Sequence, residues 1–334
     1  MSTGNLFNTK RIGRHEFEEY KNHVVELLKT NNVDFFIPYY YKDKQTFGDL
    51  DIIIPKPFGR ENIIDIFRFN KTQYKQNSNI HSICYKDNQI DFITTKPNYY
   101  ETTKYYYSWV DLSILLGRMY RKFNIKYGWD GLYFEYDTVI NNHFRNIGTI
   151  LLSLDFKQVL EFVGLDYEKF ELGFETKNDI FDLVITSKYF IPKIYESVSQ
   201  KSNKRSGIYD EIIEYSKDKE YQHNHTINFF LDKDYVYKTI GEYFTEVDIL
   251  NKIKNIKEKE YIIQVNKDKF NGSIVMLLTG LKEKELVSFI QSFRIFVKEN
   301  YEYLDFEKYV FETNAEHIKR DINLYFDEYK KLKL

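Results

Sequence analysis

The sequence predicts an α+β fold, with a mixed sheet in the N-terminal part and a mostly α-helical remainder. Two observations carry this. Short β-branched runs at Leu50–Ile54, His81–Tyr85 and Gln89–Thr94 read as strands, and helical patterns at Glu16–Lys29 and Glu61–Phe69 are interspersed with them. From about Leu151 onward strand signals fade and helical ones dominate. The predicted division is therefore 1–150 and 151–334.

Taken in order, Phe17, Tyr20, Val24, Leu27 and Leu28 fall on one stripe of the first helix. A strand is predicted over Val33–Tyr41, then a polar turn at Lys42–Thr46, then the Leu50–Ile54 strand, which Pro55-Lys56-Pro57 ends. Gly59 opens the Glu61–Phe69 helix. Lys86-Asp87-Asn88 is a turn-rich connection between the next two strands, as in a hairpin, and Pro97 closes the second of them. Residues 98–136 are dense in aromatics, and Val110–Phe123 reads as a helix bearing Arg118, Arg121 and Lys122. Beyond, Val247–Lys254, Glu283–Asn300 and Ala315–Lys333 are the clearest helices, and Lys201–Ser206 reads as an exposed basic loop.

Composition narrows the class. The 334 residues are 43% hydrophobic and 29% charged, enough for a packed core and against wholesale disorder. A net charge of −2 announces no nucleic-acid binder, although local basic patches are compatible with it. The 30 Tyr and 28 Phe, with abundant Lys, Asn and Ile, suggest an AT-rich coding bias and hence a phage, virus or AT-rich host. One cysteine, Cys84, excludes an intramolecular disulfide and a Cys-based zinc site. The N-terminus lacks the apolar core of a signal peptide, and no apolar run approaches the ~20 residues of a membrane span. A cytoplasmic protein is expected, in the host cytoplasm if virus- or phage-encoded, with no membrane partner.

The chemistry concentrates in Thr46-Phe47-Gly48-Asp49-Leu50-Asp51-Ile52-Ile53-Ile54 and in Gln89-Ile90-Asp91-Phe92-Ile93. Residues two apart on a strand share a face, so Asp49 and Asp51 project together. A neighbouring strand carrying Asp91 adds a third carboxylate. Three carboxylates at one point repel one another unless a cation neutralises them. An Asp-x-Asp pair at a strand end more commonly means solvated loop residues or helix caps. Here Gly48 before the pair, three isoleucines after it and the apolar flanks of Asp91 favour the cation site. His223-Asn224-His225 carries ligand-type residues without a third ligand at good spacing, and reads as a surface loop.

With those residues in view, Pro38 to Phe134 resembles the polymerase domain of family X DNA polymerases, within the polymerase-β nucleotidyltransferase superfamily. The Thr-x-Gly-Asp-x-Asp end of the family's palm motif is matched by Thr46-Phe47-Gly48-Asp49-Leu50-Asp51, and the third acid lies in an Ile-Asp-Phe strand, as in the family. The resemblance implies a polymerase-β-type palm followed by a helical domain that binds nucleic acid. It also implies two Mg²⁺ (or Mn²⁺) ions on Asp49, Asp51 and Asp91. Lys42 stands where the family has an Arg near the triphosphate. Tyr106 and Tyr107 fall in its Tyr-Phe-Thr-Gly turn under the incoming nucleotide, and Asp111 and Arg118 on a nucleotide-facing Asp and a template-strand Arg. The chain departs from the family at Pro38-Tyr39, where the family has Gly-Ser, and at Ile114, where many members have a base-contacting Asn. The family's DNA-lyase domain is not expected ahead of the palm. Phe270–Phe293 faintly resembles the helical body of tRNA nucleotidyltransferases and poly(A) polymerases.

Several functions stay open on this reading. The first is transfer of nucleoside monophosphates from a nucleoside triphosphate to a nucleic-acid 3′ end, DNA or RNA, with release of pyrophosphate. Others are a toxin modifying tRNA or protein, and a regulator that kept the fold and lost turnover. Lys42 and Lys44 are candidate phosphate cations or a solvated turn. Arg118, Arg121 and Lys122 are spaced to face a phosphate backbone or solvent.

Overall fold

The computed structural model describes residues 6–70, 73–140, 143–196, 206–220, 230, 232–301 and 305–332. It is α+β, with mixed sheets in the N-terminal part and a mostly helical C-terminal region. The chain forms two compact units, Met1–Ile249 and Leu250–Leu334.

In the first unit, β1 (Ile12–Gly13) runs into α1 (Arg14–Thr30), which buries Phe17, Tyr20, Val24 and Leu28 at helical spacing. The strand predicted over Val33–Tyr41 is a correction: only Phe36 pairs, with Ile53. Pro38 has no N–H to give. The Tyr39 N–H goes instead to Ser108 Oγ (3.0 Å), and the Tyr39 carbonyl accepts from the Trp109 N–H (2.8 Å). The backbone groups a ladder needs are consumed elsewhere.

After β2 (Thr46–Phe47), which pairs with β1, comes β3 (Asp49–Ile54). Helix α2 (Arg60–Phe67) ends two residues earlier than predicted, because Arg68 turns left-handed with φ 49°. Then follow β4 (Tyr74–Asn77), β5 (Ile80–Tyr85) and β6 (Asn88–Thr94), in the sheet order β3-β6-β5-β4. Strands β3 and β6 are parallel and the other pairs antiparallel, so the sheet is mixed. The β5–β6 connection is tighter than predicted: Lys86 and Asp87 alone turn the chain, both at positive φ, and Asn88 already belongs to β6.

Alternation organises β3 and β6. Leu50, Ile52 and Ile54, with Ile90 and Phe92, pack into one core with α1 and α2. Ile53 and Ile93 point to the other face, against Tyr107. Asp49, Asp51 and Asp91 share that second face.

Helices α3 (Tyr100–Tyr107) and α4 (Val110–Tyr120) meet at Trp109, which is buried and left-handed at φ 44°. A 3₁₀ turn, Arg121–Phe123, finishes the predicted Val110–Phe123 helix. The aromatic stretch then folds into an unpredicted antiparallel sheet of β7 (Ile125–Gly128), β8 (Gly131–Ile140) and β9 (His143–Ser153). Helices α5 (Phe156–Phe162), α6 (Tyr167–Glu171), α7 (Lys177–Ile185), α8 (Ser206–Ser216) and α9 (Lys233–Tyr243) complete the unit.

The second unit holds α11 (Gly272–Thr279), α12 (Glu283–Asn300), α13 (Phe306–Glu312) and α14 (Ala315–Leu332) around Phe289, Phe293, Tyr309, Ile318 and Ile322. Ahead of them α10 (Ile249–Lys269) is far longer than the predicted Val247–Lys254, because its Lys- and Glu-rich continuation carries little apolar periodicity. Helix α12 has its predicted bounds. Among the described residues no helix is long and apolar enough to cross a membrane.

Candidate metal centre

The parallel β3–β6 ladder sets Asp51 opposite Asp91, and Asp49 opposite Gln89. One carboxylate oxygen from each of Asp49, Asp51 and Asp91 lies within 4.8 Å of the other two. Asp91 is fully buried, and Gln89 Nε2 donates to its Oδ1 at 3.0 Å. Gln89 is itself oriented by the Leu6 N–H, which donates to Gln89 Oε1 at 3.0 Å. Asp51 Oδ1 is shut off from solvent and finds no hydrogen-bond partner among the described residues. Burial first, and then the charges of Asp49 and Asp91, push the Asp51 carboxyl pKa well above the usual range.

This donor set fits a hard divalent cation. All ligands are carboxylate oxygens, the kind Mg²⁺ and Mn²⁺ take. The orphaned Asp51 oxygen and the mutual repulsion both leave a positive charge to be supplied. Lys44 supplies part of it: Asp49 and Asp51 act on its ammonium, although burial dominates and lowers its pKa.

Asp49 and Asp51 open onto a cavity of about 840 Å³. Lys44, Tyr39 and Trp109 line it alongside Asp49 and Asp51, and Arg118, Arg121 and Lys126 contribute further cations. Tyr106 and Tyr107 line it too, their rings packed edge to face at 5.3 Å, and Tyr107 is buried with its hydroxyl pKa raised by burial. Asp111 also lines it; burial raises its pKa, while Lys177 and Lys44 pull it down. Arg118 reaches the cavity with its Nε tied to the Ile194 carbonyl at 2.7 Å. Gly48 sits beside the acids where an added Cβ would meet Arg11 Nη1 at 3.1 Å.

Lys42 lies elsewhere. Its side chain is exposed and ion-paired with Glu175, and it is not part of the cavity lining. Arg121 is paired with Glu135, and Lys122 does not line the cavity. His223-Asn224-His225 lies outside the described residues, as do 201–205 of the predicted basic loop. Gln89 and Lys126 escaped the sequence reading. Gln89 was findable, since it stands two residues before Asp91 on the same strand face; nothing local marks Lys126.

No protein-family model matches the chain, and comparison with curated proteins finds no significant match.

Proposed function

We propose that this chain is a metal-dependent nucleotidyltransferase that adds nucleoside monophosphates from a nucleoside triphosphate to a nucleic-acid 3′ end, releasing pyrophosphate, in the manner of family X DNA polymerases. The observation that carries this reading is the in-register pairing of Asp51 with Asp91, with Asp49 on the same face, beside a cavity of nucleotide size. Asp49, Asp51 and Asp91 would hold Mg²⁺ or Mn²⁺, two ions by the resemblance, which supply activation of the attacking hydroxyl and stabilisation of the leaving oxygen.

The protein's own groups do the rest. The acceptor oxygen bonds to the α-phosphorus as the α–β bridging bond breaks. The electron pair leaves with the diphosphate, and the hydroxyl proton goes to water. Gln89 fixes the Asp91 carboxylate by donating to it. Tyr106 and Tyr107 offer aromatic faces to the nucleotide, and Asp111 a polar contact on the same wall. Arg118 would face the template strand, as the resemblance implies. In this reading residues 1–150 carry the chemistry and the helical region 151–334 grips nucleic acid. A regulator without turnover is disfavoured by the orphaned Asp51 oxygen, since three clustered carboxylates only partly offset by Lys44 cost stability with no return.

The test is a panel of labelled DNA, RNA and tRNA 3′ ends with each nucleoside triphosphate and Mg²⁺ or Mn²⁺. Incorporation that Asp51→Asn abolishes is expected. No incorporation on any end, with Asp51→Asn indistinguishable from the unaltered protein, would overturn the reading.

A further inference from the structure

The phosphate cation that the resemblance implies, Lys42, is already committed, and so is the backbone at the Pro38-Tyr39 departure. The backbone N–H of Tyr39, at the position of the motif's serine, donates to Ser108 Oγ at 3.0 Å. The ammonium of Lys42, at the position of the motif's arginine, is ion-paired with Glu175 and is not part of the cavity lining. Of the other cations of the cavity wall, Arg121 is paired with Glu135, Arg118 is tied through Nε to the Ile194 carbonyl, and Lys126 lies over the Tyr133 ring, 5.9 Å from its centre.

Lys44 is differently placed. It lines the cavity at the acid end, and both Asp49 and Asp51 act on its charge. Its ammonium lies 4.8 Å from the centre of the Phe47 ring and 5.9 Å from that of Tyr40, so two aromatic faces bound its position. The turn that carries it is pinned from α1. Arg14 Nη1 donates to the carbonyls of both Lys42 and Lys44, the latter at 3.1 Å, and the Lys44 N–H closes the turn onto the Tyr41 carbonyl at 3.2 Å. The same turn therefore sends one lysine out to Glu175 and holds the other over the site.

From this placement we infer that Lys44, and not Lys42, is the polyphosphate-binding cation of this chain, seated between the acids and the Tyr40–Phe47 wall to receive the β- and γ-phosphates. The inference rests on the nucleotidyltransferase reading above. As the bridging bond breaks, negative charge accumulates on the departing diphosphate. A compact ammonium held in a partly dry pocket stabilises that charge without reorganising. Without polyphosphate, the same ammonium opposes cation binding at the neighbouring acids.

The experiment uses the full chain and the variants Lys44→Met, Lys44→Arg and Lys42→Met, each checked for fold by circular dichroism. Inorganic tripolyphosphate with Ca²⁺ is titrated calorimetrically, and Mn²⁺ alone is titrated by electron paramagnetic resonance. Lys44→Met is expected to weaken tripolyphosphate at least tenfold and to tighten Mn²⁺ several-fold, with Lys44→Arg recovering most of the polyphosphate affinity. Tripolyphosphate affinity unchanged in folded Lys44→Met, its loss in Lys42→Met instead, or an unmoved Mn²⁺ affinity in Lys44→Met would each overturn the assignment. The two readings fail separately. Lys44-dependent tripolyphosphate binding without nucleotide transfer leaves the polyphosphate site standing and sinks the transferase. Asp51-dependent transfer indifferent to Lys44 does the reverse.

Discussion

At the scale of single residues, Asp51 is under the most tension. Its carboxylate faces two like charges, and one of its oxygens is shut off from solvent without a partner among the described residues. Asp51→Asn keeps the shape and removes a charge. It is expected to abolish transfer while raising the metal-free Tm by about 2–4 °C, the shift that roughly 1 kcal/mol produces in a unit of this size; a lower Tm in chelator would mean the carboxylate is instead a structural acceptor. The raised pKa also sets a pH dependence. The folded chain holds the Asp51 proton at pH values where the unfolded chain has released it. The stability this contributes is complete below the ordinary carboxyl pKa, about 4, and is lost as pH rises through the elevated folded value. Urea melts in chelator should therefore show metal-free stability declining across that window. Mn²⁺ affinity should climb over the same range, because proton and metal compete for one site. Affinity that is flat with pH would place the cation elsewhere.

At the scale of elements, Ser108 joins the segment after Phe36 to the α3–α4 junction by accepting the Tyr39 N–H. Ser108 is itself buried. Ser108→Ala leaves that donor unsatisfied and is expected to cost about 1–3 kcal/mol in urea denaturation; a loss under 0.5 kcal/mol would show the contact to be dispensable. Elements of this kind also mark what could be read from sequence. Strands β3 and β6 were legible because apolar and acidic residues alternate in them with the strand period, and the same alternation brought Asp49, Asp51 and Asp91 together. The Val33–Tyr41 segment has equally strand-like residues, yet its hydrogen bonds are taken by Ser108 and Trp109, about seventy positions away, which no local pattern reveals. In β4 the sequence Tyr-Lys-Gln-Asn gives an edge strand no apolar signature. The β7–β9 sheet was hidden for a different reason: β8 sets Leu, Tyr and Phe side by side and β9 carries an unbroken Ile-Leu-Leu run, so no strand alternation stands out. Lys42 pairs with Glu175, 133 residues downstream, a partner no local pattern names.

For the whole molecule, the acids and their cavity belong wholly to the first compact unit, and the Phe289–Phe293–Tyr309 core wholly to the second. Calorimetry should therefore resolve two transitions. Mn²⁺ at a hundred times its Kd should stabilise the first by about 2.7 kcal/mol and leave the second unmoved. A single transition that moves as one with metal would show the units to be thermodynamically inseparable.

The Asp51–Asp91 pairing also bears on how such a centre can be lost over generations. A substitution removes one ligand and leaves the rest of β3 in place, so lineages can drift away from catalysis one acid at a time and stay folded. A one-residue insertion ahead of Asp49 that shifts the register of β3 behaves differently. It turns Asp49 and Asp51 into the apolar layer against α1 and α2 and presents Leu50 and Ile52 to the cavity. Heredity can silence this site by point changes, whereas a slip in the register of that strand destroys site and fold together.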